Sequence, residues 1–378
     1  MRSFALTFSY FRKTIFTHME PLKEMFNKTF YESFAKEFEK ADKNFNSKKF
    51  LMEVTENMQD LSLNQRMRRT SEVLKNNLPS EYKKTIGIME KVIPHTKRGY
   101  TNLVFPDFVG LYGHENFDAS MEALKLFTKY GSSEFAIREF LKRDFNKTIK
   151  VMQNWSKDKD AHVRRLSSEG SRPRLPWSFK LDEVIKNPKV TREILETLKA
   201  DDELYVRKSV ANHLNDITKE NADYMLSVVN SWDKKHPHTA WIIKHASRSL
   251  IKKGHPGSLS VFDFEKNVEL NIENFKLNKT KVNLGESLTF SFDLVSEKSS
   301  TQKLVVDYII HYRKKSGELS GKVFKLKELD LKGKERSKIS KSQTFKDFTT
   351  RKHFAGKHEL EIQVNGKVLA KQSFTIIV

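Results

Sequence analysis

DKDAHVRRLSSEGSRPRLPW, residues 158–177, carries the pattern on which the reading of the fold rests. Over Ala161–Ser168, Val163 and Leu166 fall on the inward side of a helix, with Arg164 and Arg165 flanking them. Gly170 is expected to release the backbone, and Pro173 and Pro176 to hold the following segment extended. Four arginines (Arg164, Arg165, Arg172, Arg174) surround one carboxylate, Glu169, and the stretch ends on the indole of Trp177. Guanidinium forks bind phosphates through paired hydrogen bonds, and a stiff backbone lowers the cost of ordering them. A solvated basic helix followed by a Pro-rich turn is the plainer alternative, and these residues alone leave it open.

The pattern returns downstream. DDELYVRKSVANHL, residues 201–214, repeats the acidic start and the Val-Arg-basic triplet, and Val163 to Val206 spans 43 residues. That lies within the ~40–47-residue period of HEAT-type helix pairs. HTAWIIKHASRSL (238–250) is a shorter-spaced third copy, Arg207 to Lys244 being 37 residues, and Ile137-Arg138 in SSEFAIREFL echoes Val-Arg in phase. The expectation is a mainly α chain over Asn116–Lys253. Antiparallel pairs should form an α-α superhelix of HEAT-like repeats, with the second helices lining one concave face.

Upstream, Leu22, Met25, Phe26, Phe30, Phe34 and Phe38 recur at helical spacing and read as core. Further helices are expected at 47–60, 62–77 and 81–93, then a loop with a short apolar helix over 94–113. Residues 1–18, MRSFALTFSYFRKTIFTH, are apolar and basic without a small-residue cleavage site, so they read as an extra N-terminal segment rather than a signal peptide. Met19 is the alternative start. At Gly254-His255-Pro256-Gly257 the helical period stops and a period of two begins. VELNIENFKL, SLTFSFDL, LVVDYIIHYR, KVFKLKEL, HELEIQVNG and QSFTIIV read as strands, separated by turn signals such as Asn365-Gly366. Six or seven short strands predict an all-β immunoglobulin-like sandwich over 265–378.

The chain has 378 residues and a formal charge of +21, which points to a polyanionic partner, nucleic acid ahead of anionic membrane. Residues 265–378 hold 23 Lys+Arg against 14 Asp+Glu, so both parts of the chain are basic. Without cysteine there are no disulfides, thiolate metal sites or cysteine nucleophile, which fits a reducing cytosol. No apolar run approaches the ~20 residues of a membrane span. His236, His238 and His245 lack a carboxylate partner at metal-site spacing, and no metal is expected there. There is no phosphate-binding glycine loop and no G-x-S-x-G elbow. Three acids stand near one repeat apart: Glu134, Glu169 and Asp216. Singly, each reads as a cap or a surface ion-pair partner. Together, in a basic groove, they can face one another.

HVRRLSSEGSRPRLPW, YVRKSVANHLNDI, SSEFAIR and WIIKHASRSLIKKGHP together resemble the AlkC group of DNA alkylation repair glycosylases. The likeness covers residues 19–257, and the region 265–378 resembles the immunoglobulin-like extension of some members. It implies hydrolysis of the N-glycosidic bond of cationic N3-alkylated bases, 3-methyladenine and 3-methylcytosine, in duplex DNA, without base flipping. Carried over by motif, Glu134, Glu169 and Asp216 face the damaged nucleotide and Trp177 packs on its deoxyribose. Arg165 and Arg172 hold the DNA backbone, and Arg164, Arg174, Arg207 and Lys208 complete the candidate DNA-binding set. No cofactor is implied. The partner is duplex DNA containing alkylated bases, with no membrane, and the protein is expected to act as a cytoplasmic monomer. The alternative is a non-catalytic HEAT-repeat scaffold that binds nucleic acid or protein. The β-domain is expected to keep its own core and to add phosphate contacts across the duplex.

Overall fold

The structure, a computed structural model, describes residues 21–347 and 352–378. Residues 1–18 and the alternative start at Met19 lie outside the described residues. The chain divides into two compact units: one runs to Val184 and includes Lys189–Leu198, and the other comprises Ile185–Pro188 and Lys199–Val378.

The first unit is helical: α1 (Lys28–Ala41), α2 (Ser47–Thr55), α3 (Leu63–Asn77), α4 (Tyr82–Val92), α5 (Val104–Tyr112), α6 (Phe117–Phe127), α7 (Glu134–Arg143), α8 (Phe145–Trp155), α9 (Ala161–Gly170) and α11 (Arg192–Leu198), with α10 (Asp182–Lys186) at its limit. Asn27 starts α1 by accepting from the Phe30 amide at 2.8 Å, and Ser62 starts α3 through a capping box with Gln65. Phe34 and Phe38 pack on Phe105 as expected of core. Leu22 and Met25 do not join them: Leu22–Met25 is a separate 3-10 turn, and Leu22 is 63% exposed. The stripe therefore begins at Phe26. Two rows of helices result, α1–α4–α6 and α3–α5–α7–α9, in which each member packs on the next.

The second unit opens with α12 (Leu204–Ile217), α13 (Ala222–Asn230), α14 (Pro237–Ala246), α15 (Arg248–Lys252) and α16 (Pro256–Val261). A sandwich follows: β1 (Leu270–Leu277), β2 (Lys281–Asn283), β3 (Ser287–Ser296), β4 (Gln302–Arg313), β5 (Leu319–Leu331), β6 (Arg336–Thr344), β7 (Gly356–Val364) and β8 (Lys367–Ile377). One sheet has the order β1-β3-β6 and the other β2-β8-β7-β4-β5. Only β2 with β8 is parallel among the described pairs. Phe290, Phe292, Ile310, Ile362 and Phe374 fill the space between the sheets.

Helices and sandwich share a joint within this unit. Ile251, Leu259, Phe264 and Val305 form one apolar cluster. Gln363 donates to the Lys252 carbonyl at 2.8 Å, and Lys244 meets Glu328 at 2.8 Å. Gly254 and Gly366, read from the sequence as a helix stop and a turn, lie back to back. A Cβ on Gly366 would stand 2.0 Å from the Gly254 Cα, and Gly366 also has φ +84°. The tail of the helical pattern thus leans on the β7–β8 turn. Gly366→Ala should cost about 1–3 kcal/mol and lower the thermal midpoint by several degrees, and an unchanged midpoint would refute this contact.

Asp307, on β4, is 1% exposed and its Oδ1 has no hydrogen-bond partner. Burial pushes its carboxyl up to about 6, against the pull of Lys252 and Lys325. The folded state therefore holds this proton more tightly than the unfolded chain, so stability falls as pH rises from about 4 through 6. Asp307→Asn should raise the thermal midpoint at pH ~8, with a gain that shrinks as pH is lowered towards ~4. A gain of the same size at both ends would assign the effect to something other than this charge.

Candidate functional site

Helix α9 holds its apolar side inward, with Val163 and Leu166 fully buried, and begins with Asp160 accepting from the His162 amide at 2.8 Å. Gly170 is the last helical residue, and its role is not the release expected from the sequence. A Cβ there would stand 2.5 Å from Ile137 Cγ2, so the missing side chain is what lets α9 close on α7. The residues that follow form turns rather than an extended strip. Leu181 donates to the Pro173 carbonyl at 3.1 Å, and Trp177 takes φ 65°, in the left-handed region. Trp177 is 83% exposed, so this turn presents a bare indole to solvent.

Arg138 fixes this turn. It is fully buried on α7 and donates to the carbonyls of Gly170 at 3.0 Å, Arg172 at 2.6 Å and Phe179, with the Phe179 ring 5.3 Å away. The sequence shows it as an echo of Val-Arg, but its task as a clamp needs the fold. Beside it, Glu134 and Glu169 are brought together around Arg165. Arg165 contacts Glu134, donates to Ser132 Oγ at 2.9 Å and lies 3.4 Å from Glu169. Ser132 in turn donates to Glu134 at 2.7 Å, and Arg172 meets Glu169 at 2.6 Å. Glu169 is 6% exposed and Arg172 7%. Two guanidiniums balance two carboxylates, which makes their burial affordable.

The other predicted cations divide by use. Arg164 donates from one nitrogen to the carbonyls of Asp158 and Lys159, both at 3.0 Å. Arg207 does the same one repeat later, to Asp201 at 2.7 Å and Asp202 at 2.8 Å. In these two copies the Arg is thus a tether between the helix and the loop that enters it. Arg174 is half-buried and Lys208 exposed. Asp216 belongs to the second unit, buried at the end of α12. Among the described residues, no three His, Asp or Glu side chains converge as a metal site.

A family model described as an uncharacterised protein YhaZ C-terminal Ig-like domain matches residues 271–378. The chain is 39% identical over 359 residues to the uncharacterized protein YhaZ of Bacillus subtilis (strain 168), covering 95% of this chain and 100% of that one. It is also similar to Pseudomonas fluorescens AlkC, an alkylpurine DNA glycosylase whose solved structure is bound to DNA containing an abasic site analog. That likeness has a TM-score of 0.91 at 45% identity and covers 95% of this chain and 100% of that one. The chain belongs to the AlkC family. In this AlkC family member a cleft of ≈ 820 Å³ adjoins Trp177 within the first unit, lined among others by Arg68, Arg69, Tyr100, Arg143 and Phe179. No helix among the described residues is long and apolar enough to cross a membrane.

Replacing Arg138 by Met keeps much of its volume but strips three carbonyls, two of them in buried contacts, of a charged donor. Urea unfolding should show a loss of about 3 kcal/mol or more. An undiminished midpoint would mean that the turn holds itself.

Proposed function

We propose that this protein is a DNA glycosylase that removes cationic N3-alkylated bases, 3-methyladenine and 3-methylcytosine, from duplex DNA without base flipping. The observation that supports it most is Glu169, a carboxylate buried between two arginines at the end of the helix whose following turn carries the exposed Trp177. Membership of the AlkC family, whose Pseudomonas fluorescens member is an alkylpurine DNA glycosylase, supports it independently.

The chemistry suits such a site. Alkylation at N3 leaves the base positively charged, so it departs with the electron pair of the C1′–N bond and becomes neutral. No general acid has to protonate it, in contrast to ordinary glycoside hydrolysis. The sugar left behind is cationic and oxocarbenium-like, and nearby carboxylates stabilise it. A water then adds its oxygen at C1′ and gives its proton to one of the acids. In this proposal Glu169 and Glu134 supply that negative field, and the family motif carries the same role to Asp216. Trp177 offers a ring face worth ~0.5–2 kcal/mol to a neighbouring cation. Arg165 and Arg172 orient the carboxylates and approach backbone phosphates, which carry register but not sequence. A neutral lesion has no such leaving group and should be a poor substrate. The expected place of action is the cytoplasm, on nucleoid DNA.

Release of methylated base from alkylated duplex by the purified protein is the direct test. Glu169→Gln should reduce the release at least ~10²-fold while DNA affinity is kept or slightly raised, because a negative charge is lost near the phosphates. Near-normal excision by a folded Glu169→Gln protein would remove this residue from the reaction. Asp216→Asn should behave in the same way.

A further inference from the structure

Within the second unit, α12, α14, α15 and β5 bring a group of cations around two stacked rings. Trp241 and His245, one turn apart on α14, lie with ring centroids 3.8 Å apart and planes at 24°. The Arg207 guanidinium stands 6.0 Å from the Trp241 ring. Lys208, Lys244, His245 and Arg248 are exposed. Glu328 is the carboxylate in their midst: it lies 2.8 Å from Lys244 and also contacts Lys325. Asn212 accepts from Arg248 at 3.0 Å. Cations on four elements against one carboxylate make a surface for an anion.

We propose that this face binds the phosphodiester backbone of duplex DNA, and that His245 takes up a proton when the backbone is seated. The proposal rests on the glycosylase reading, which makes duplex DNA the ligand and counts Arg207 and Lys208 as DNA-binding candidates, and extends it to Lys244, His245, Arg248 and Lys325. In the free protein, burial and then the charges of Arg248, Lys244, Lys325 and Lys208 hold His245 below its ordinary value. Phosphate oxygens placed among those four cations oppose their repulsion, so the imidazolium is more stable in the complex than in the free protein. Proton uptake and binding are then linked: affinity rises as pH falls through the interval between the free and bound values of His245. One proton limits the effect to at most about tenfold in Kd for each pH unit.

The test is fluorescence anisotropy of the full-length protein with an undamaged labelled duplex, from roughly pH 5.5 to 8.5 at constant ionic strength. Wild type should bind several-fold more tightly at the acid end, and His245→Gln, checked for an unchanged circular dichroism spectrum, should flatten that dependence. Lys208→Gln and Arg248→Gln should each take about 0.9 from the log–log salt slope. An identical pH dependence in His245→Gln overturns the proton uptake, and unchanged slopes in both charge variants overturn the surface. Displacement of DNA by polyglutamate at equal charge concentration would also overturn it, in favour of an acidic protein partner. Base release by wild type is measured alongside. Its absence sinks the glycosylase reading, whereas normal release with flat pH and salt results sinks only this surface.

Discussion

A buried carboxylate is tolerable only when its charge is met, and Glu169 is met twice, by Arg165 at 3.4 Å and Arg172 at 2.6 Å. Much of the first unit's site is arranged so that this can happen. Arg165 needs α9 close to α7 to reach Glu134 and Ser132 as well, and that approach depends on the bare Cα of Gly170 against Ile137. Arg172 needs the turn after α9 held in place, which is the work of Arg138 on three of its carbonyls. The exposed indole of Trp177 sits on the same clamped turn, so its position is fixed from behind although its face is open.

The same logic separates arginines that composition treats as equal. Arg164 and Arg207 spend one guanidinium nitrogen on the loop entering their own helix, with near-identical geometry 43 residues apart. That local need explains why Val-Arg recurs in the sequence at all. A repeat unit must order its entry loop before its helix can stack, and a forked donor reaching two successive carbonyls does so without using core space. In the third copy Lys244, matched to Arg207 by sequence alone, lies in the last turn of α14 and reaches Glu328 on β5 instead. The change of residue coincides with a change of neighbour, from the helix's own loop to the sandwich.

The sequence made the alternation of periods plain, because core faces dominate it. α9 begins where the reading of Val163 and Leu166 put it, and six strands fall on the stretches with period two. What it hid was of another kind. β6, RSKISKSQT, buries Ile339 alone among its residues and so has almost no apolar period, while β2 is three residues long. Pro173 and Pro176 suggested an extended strip, yet Arg138 draws the chain into turns, and nothing near those prolines in sequence announces it. Glu134 and Glu169 were legible as candidates through repeat spacing and family likeness, but their sharing of Arg165 is a property of packing.

These differences share a cause. Periodicity reports which side chains leave water, and it is silent on which buried backbone groups still need a donor. The first unit meets such needs with charged side chains, Arg66 on the carbonyls of Lys23, Phe26 and Met58 and Arg138 on the turn after α9, both nearly or fully buried. A net charge of +21 therefore overstates what is available to a polyanion, since some of the arginines it counts are structural. The cations left for a polyanion are better sought where several elements present them together at the surface, as α12, α14, α15 and β5 do around Trp241 and His245.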